Sequence, residues 1–304
     1  MNHSHHRRSF LKTMATLPVL AATPDILVAA AAEPGKGHKL RISLNAYSFN
    51  APLRDGSMGL DGLLEFCAGT PIEAVDLTGY YFPGYPAVPP DAYIYHIKRK
   101  AFRLGLDISG TGVRTDFTNP DTAKRKADVQ LVKNWIVVAA KLGAPVIRIF
   151  AGAPAPAGKS WNDVAARMME HVQECVAFGK EQGVIVGMQH HNDFIKTAEH
   201  VHAVSRMITS DWFGIIVDTG SYQSGDPYAQ IAETAKYAVN WQLKENVFIN
   251  GKAEPADVPR IISAIRASGY KGYVPVETLG PGDPRVKVPV FVEKVRKALF
   301  GEAG

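Results

Sequence analysis

Short apolar runs and longer amphipathic stretches alternate along this chain from about residue 40 to its end. Eight runs have the length and character of covered β-strands: LRISLNAY, IEAVDLT, LGLDISGTG, APVIRIFAG, GVIVGMQHH, FGIIVDTG, YAVNWQLKE and GYVPVET. Between them lie stretches of helical period, among them MGLDGLLEFCAGT, DAYIYHIKRKAFRL, KADVQLVKNWIVVAAKLG and WNDVAARMMEHVQECVAFGKEQG. The last two keep the 3.6-residue spacing best, and Gly143 and Gly183 mark where each gives way to the next apolar run. Strand followed by helix, eight times over, predicts a closed parallel barrel, the (β/α)8 TIM barrel. A doubly wound open sheet is the alternative architecture. No Gly-x-Gly-x-x-Gly opens a first helix, so no dinucleotide-binding fold and no nucleotide cofactor is expected.

In such a barrel, function gathers at the C-terminal ends of the strands and in the loops after them. That rule selects Asn45, Tyr47 and Phe49 after the first strand, Asp76, Tyr80 and Tyr81 after the second, Arg114 and Asp116 after the third, and Arg148 on the fourth. The later strands add Gln189, His190, His191, Asp218, Gln242, Lys244 and Glu277. Asp218 and Glu277 each end an apolar run, where a carboxylate is costly unless paired, hydrogen-bonded or metal-bound. Two such carboxylates can hold a divalent cation or divide acid and base work between them. Gln189 and His191 are two apart and share a strand face, whereas His190 faces away unless the strand has already ended. Gln189 can offer an oxygen or an amide but cannot serve as a base. Gln242 and Lys244 share a face too, and the Lys244 ammonium is placed to neutralise an oxyanion near Glu277. Glu277, His191 and Lys244 are therefore the candidate catalytic residues. Tyr47, Tyr80, Tyr81, Arg114, His190 and Gln189 are the candidate substrate contacts, and the Tyr- and Pro-rich stretch GYYFPGYPAVPPDAY is a candidate aromatic wall.

The N-terminus reads as an address rather than as part of the fold. Arg7 and Arg8 are followed by Ser9-Phe10-Leu11-Lys12, a moderately apolar stretch and an Ala-rich end. This resembles the twin-arginine signal, which exports folded proteins to the periplasm or another extracytoplasmic space. Cleavage near Ala31 or Ala32 is expected, so residues 1–32 form the signal segment and 33–304 one barrel domain. Pro24 and Asp25 interrupt the apolar stretch, and no membrane span is expected in the mature chain. Setting aside Arg7, Arg8, Lys12 and Asp25 lowers the 34 basic and 29 acidic residues to 31 and 28. That balance gives no argument for nucleic acid. Cys67 and Cys175 make no disulfide framework and read as packing thiols. No Gly-x-Ser-x-Gly elbow points to a serine hydrolase.

The segments LNAYSF, AVDLTGYY, LGAPVIRIFAG, GVIVGMQHHN, VDTG, WQLKE and PVE together, in this order over about residues 41–298, resemble the sugar phosphate isomerase/epimerase family. These are the xylose-isomerase-like barrels that also include a metal-dependent abasic-site endonuclease branch. The resemblance implies a divalent metal held by a Glu on strand five, an Asp on strand six, a His on strand seven and a Glu on strand eight. Asp218 and Glu277 match two of these positions; Gln189 stands for the Glu, and Gln242 for the His that precedes x-Lys-Asp. The implied ligand set is thus Asp218, Glu277, Gln189 and Gln242, for Mn, Mg, Zn or Co, or for no metal at all. The resemblance also implies two Glu bases on opposite faces of an enediolate, and Gln189 removes one of them. Three functions are the resulting expectations. The first is a carbohydrate isomerase or epimerase working by proton abstraction beside a carbonyl, on a small non-phosphorylated sugar or sugar derivative. The second is a lyase acting on an oxidised (keto) glycoside. The third is a catalytically degenerate periplasmic sugar-binding barrel. A homo-oligomer is left open.

Overall fold

The computed structural model describes residues 40–301; the twin-arginine-like segment 1–32 lies outside them. Seven strands succeed one another in space as in sequence: β1 (Arg41–Asn45), β2 (Ala74–Thr78), β3 (Asp107–Gly112), β4 (Val146–Phe150), β5 (Ile185–Gln189), β6 (Phe213–Asp218) and β7 (Ala238–Lys244). A two-stranded antiparallel hairpin, β8 (Asn246–Ile249) and β9 (Lys252–Pro255), stands apart from the barrel. β10 (Tyr273–Glu277) then closes the barrel, parallel to β7 on one side and β1 on the other. The eight expected strands are all barrel strands, and the fold is a (β/α)8 barrel. The hairpin is an addition that the alternation did not predict.

The helices in chain order are α1 (Asn50–Asp55), α2 (Leu60–Ala68), α3 (Asp91–Arg103), α4 (Thr122–Leu142), α5 (Trp161–Gln182), α6 (Ala198–Met207), α7 (Pro227–Thr234), α8 (Val258–Ala267) and α9 (Pro284–Phe300). Side-chain caps start many of them. Asp121 accepts from the Ala123 N–H at α4, Ser160 from Asp163 at α5, and Asp283 from Arg285 at α9, where Pro284 occupies the first turn. The two longest helices end as expected on left-handed glycines, Gly143 (φ 82°) and Gly183 (φ 69°), which turn the chain into β4 and β5. The apolar core lies mainly between strands and helices, with Trp135 and Trp241 fully buried. Cys67 and Cys175 are buried free thiols within it.

The inside of the barrel is different. TIM barrels commonly fill this space with Val, Ile and Leu. Toward the C-terminal end this chain instead brings Asn45, Asp76, Arg148, Gln189, Asp218, Asn240, Gln242, Lys244 and Glu277 together, none more than 8 % exposed. Strand register aligns them: Asn45 opposite Asp76, Asp218 opposite Gln242, and Glu277 opposite Lys244. Polar side chains so deeply buried require one another as partners.

Candidate active site

A cavity of about 470 Å³ opens at the C-terminal mouth of the barrel. Its floor is made by Asn45, Arg148, Gln189, Gln242, Lys244 and Glu277 from the strand ends. Tyr47, Tyr80, Arg114, Phe150 and His191 contribute walls from the loops and strand tips, and the segment after β10 closes one side. The structure thus gathers most of the candidates in one place. Asp218 lies just beneath the lining, fully buried. Tyr81 and His190 do not line the cavity.

The centre of the floor is one ammonium shared by two carboxylates. Lys244 Nζ bonds Glu277 Oε1 and lies 3.5 Å from Asp218 Oδ2. Burial opposes the charge on Lys244, but Asp218 and Glu277 more than offset that and hold its pKa above the ordinary lysine value. Burial likewise opposes ionisation of Asp218, yet Lys244 above all keeps its pKa below the usual carboxylate range. Asp218 Oδ1 accepts from the Gly220 N–H at 3.0 Å, so the strand-end turn is capped by the same carboxylate.

Gln189 is fixed by chemistry on both ends of its amide. Its Nε2 donates to Asp218 Oδ2 at 2.6 Å, and its Oε1 accepts from Arg148 Nη1 at 3.4 Å. A carboxylate only accepts and a guanidinium only donates, so this amide has one workable orientation. Gln242 Oε1 also receives Gln189 Nε2, at 3.5 Å. Arg148 reaches further to the Tyr80 hydroxyl at 3.0 Å and lies over the Phe150 ring at 4.4 Å. β3 makes room for this with glycine at positions 110 and 112. A Cβ on Gly112 would meet Arg148 Nε at 2.5 Å, and one on Gly110 would meet Asp76 Oδ2 at 2.7 Å and Asn240 Nδ2 at 3.3 Å. Burial raises the pKa of Asp76 to about 6, against the pull of Arg148. Asn240 escaped notice in the sequence, though it precedes Gln242 by two and shares its strand face.

The two adjacent histidines have separate surroundings. β5 ends at Gln189, so strand alternation no longer governs His190 and His191. His190 is fully buried against Tyr222, ring centroids 4.3 Å apart, and its Nε2 accepts the Asp218 backbone N–H at 3.0 Å. Burial lowers its pKa to about 4, which makes it neutral at pH 7. His191 is exposed at the cavity wall, edge-on to Phe150 at 5.0 Å, with Nδ1 3.1 Å from Asp193 Oδ2. Tyr81 donates to Asn50 Oδ1 at 3.0 Å, and Asn50 rather than Tyr81 faces the cavity. The aromatic stretch after β2 does form a wall, anchored where Phe82 and Tyr85 pack on Trp135. Tyr80, half-buried, is its face toward the cavity.

A divalent cation does not suit this donor set. Among the described residues no group of three His, Cys, Asp or Glu could hold a metal ion. Asp218 and Glu277 are already engaged by the Lys244 ammonium, and Gln189 turns its NH2, not its oxygen, toward Asp218. A hard cation needs several oxygen or imidazole donors free to converge on it.

Residues 64–291 match the model of the xylose isomerase-like TIM barrel family. The chain belongs to that family. Family membership supports the expectation of an enzyme of the sugar isomerase and epimerase class. No curated protein matches the chain in sequence. Solved structures share the fold across nearly their whole length. D-psicose 3-epimerase from Clostridium cellulolyticum H10, solved with D-tagatose, superposes with a TM-score of 0.70 at 16 % identity, over 86 % of this chain and 99 % of that one. The 3-keto-D-glucoside 4-epimerase of E. coli gives 0.68 at 13 % identity, over 85 % and 100 %. A xylose isomerase domain protein from Planctomyces limnophilus gives 0.66 at 14 %, over 86 % and 98 %.

Proposed function

We propose that this protein is a carbohydrate isomerase of the enediolate type, working with one base and without a metal. Glu277 takes a proton from the carbon beside the carbonyl of a non-phosphorylated sugar or sugar derivative. The charge that builds on the carbonyl oxygen is met by the ammonium of Lys244 and the guanidinium of Arg148, both fixed in advance in a buried setting. The observation that carries this reading is the Lys244–Glu277 pair at the floor of the cavity, with Gln189 bound on both ends of its amide. Gln189 cannot return a proton to the opposite face. That favours a shift in which one base returns a proton to the neighbouring carbon, while the hydroxyl proton there passes to the former carbonyl oxygen, over a two-base epimerisation. The relatives' printed activities, sugar 3-epimerases and a keto-glucoside 4-epimerase, support a carbonyl-bearing sugar as substrate.

A second reading is supported by His191, whose Nδ1 is engaged by Asp193 and whose ring stands at the cavity wall. An imidazole so oriented can protonate a leaving oxygen, so that proton loss at one carbon is followed by elimination from an oxidised glycoside. Export by the twin-arginine signal, which we also propose, fits either substrate better than a sugar phosphate.

The test is incubation in D2O with a panel of aldoses, ketoses and oxidised glycosides, followed by NMR. Deuterium should enter beside the carbonyl, and Glu277→Gln should stop it while sugar binding persists. Exchange that survives the substitution would overturn the base assignment. Sugar binding with neither exchange nor conversion of any sugar by the wild type would make this a binding barrel.

A further inference from the structure

The cavity does not end at the barrel mouth. A second compartment of about 300 Å³ lies beside it, and Arg114, Phe150 and His191 form walls of both. The outer compartment is built, not a loose gap between loops. Its floor is the junction of the loops after β3 and β4, where Asp116 Oδ1 accepts from the Ala153 N–H at 3.1 Å and from Thr118 Oγ1 at 2.6 Å. At Gly152 (φ 132°) a Cβ would come within 2.0 Å of Asp116 Oδ1, so these loops touch backbone to side chain. The root of Arg114 is held as well, its N–H donating to the Tyr85 hydroxyl at 3.1 Å.

The chemistry of the boundary suits a hydroxyl-rich or aryl ring. It offers the edge of an apolar face, Phe150, an exposed guanidinium, Arg114, and an imidazole whose Nδ1 is already committed to Asp193. Ligand sites for molecules of several rings fall at about 300–1,000 Å³. The inner cavity alone is within that range, and a single sugar ring leaves the outer space unfilled.

Building on the carbohydrate reading of the inner cavity, we propose that the substrate is a glycoside spanning both compartments. The reacting sugar sits over Glu277 and Lys244, the linkage passes between Arg114 and His191, and a second sugar or aryl ring fills the space against Ala153, Pro154 and Asp193.

The test is calorimetric binding of matched pairs, each an isolated sugar and its disaccharide or aryl glycoside, keto forms included, to wild type and to Ala153→Trp. Ala153 is exposed, so a larger side chain there projects into the outer space without disturbing the core. At least one two-ring compound should bind ten-fold or more tighter than its isolated sugar, and Ala153→Trp should erase that margin while leaving the isolated sugar unchanged. A panel in which no two-ring compound outbinds its sugar, or a margin that survives Ala153→Trp, overturns the proposal. Proton exchange in D2O reads the isomerase assignment separately, so the two can fail independently.

Discussion

The inner chamber and the outer compartment share three walls, yet they are made of different material. The inner groups sit on strand ends, are at most 8 % exposed, and include direct charge and amide contacts, Lys244 with Glu277 and Gln189 with Asp218. The outer groups sit on loops, and Arg114, Ala153 and Pro154 are exposed. In a low-dielectric floor each charge depends on its neighbours, whereas a charge in water depends on little. Disturbing the inner chamber should therefore cost stability along with function. Disturbing the outer one should cost recognition alone.

The sharpest contrast is between two removals of positive charge. Lys244→Met leaves Glu277 and Asp218 buried without their shared ammonium. Breaking a buried pair from one side costs about 3–5 kcal/mol. Arg114→Met removes an exposed cation with no ion pair among the described residues, and should change stability by no more than about 0.5 kcal/mol. Urea unfolding of both variants measures the difference. Equal losses would mean that the floor network does not hold the barrel mouth together.

That division also explains what could be read from the sequence. Strand pleating puts residues two apart on one face, so apolar runs ending in Asp218, Gln242-x-Lys244 and Glu277 disclose a convergent rim without any knowledge of the fold's details. Eight such runs disclose the barrel. His190 could not be placed that way, because its orientation depends on β5 ending one residue earlier. The outer compartment depends on contacts between separate loops, Asp116 with Ala153 for one, and no periodicity encodes them. The β8–β9 hairpin, which the sequence reading did not include, carries a different signal. Asn250 (φ 52°) and Gly251 (φ 75°) form the Asn-Gly pair that favours a two-residue hairpin turn. Its strands read poorly because β9 is exposed throughout.

Beneath the inner chamber lie two buried groups that titrate in opposite senses, and pH separates them. Asp76 has its pKa raised from 3.8 to about 6 by burial. An acid of that kind binds its proton more tightly when folded, so it stabilises the fold below pH 3.8, and that contribution is lost as pH rises through about 6. His190 has its pKa lowered from 6.5 to about 4. Its contribution is present above pH 6.5 and is lost as pH falls through about 4. The two oppose each other over the same interval. Asp76→Asn removes only the first. Relative to wild type, the variant should lose stability on going from pH 7 to pH 4, by on the order of 3 kcal/mol at most. Unfolding free energies of both proteins at matched pH give this difference directly, since groups common to both cancel. A difference that stays flat across the interval would mean that Asp76 is ionised at its ordinary value and is far better paired than its surroundings indicate.

The smallest expected effect concerns the cation. Because the Gln189 amide donates to Asp218, replacing it by Glu would set a third carboxylate oxygen 2.6 Å from Asp218 Oδ2, with repulsion in place of a hydrogen bond. With Gln242→His added, three carboxylates and an imidazole would face one point. The double variant Gln189→Glu/Gln242→His should therefore be less stable than wild type in chelator and should be rescued by Mn²⁺. At a hundred-fold excess over Kd the rescue is about 2.7 kcal/mol. Wild type, whose carboxylates are already engaged by Lys244, should show no shift in unfolding midpoint with the same metal. A wild-type shift would mean that Lys244 yields its place to a cation, and metal-assisted chemistry would then replace the lysine-based reading of the floor. The outer compartment provides an internal control. His191, Asp193 and Asp116 border it too, but Asp116 is spent on the loop junction and Asp193 on His191, so Ala153→Trp should leave the rescue of the double variant unchanged.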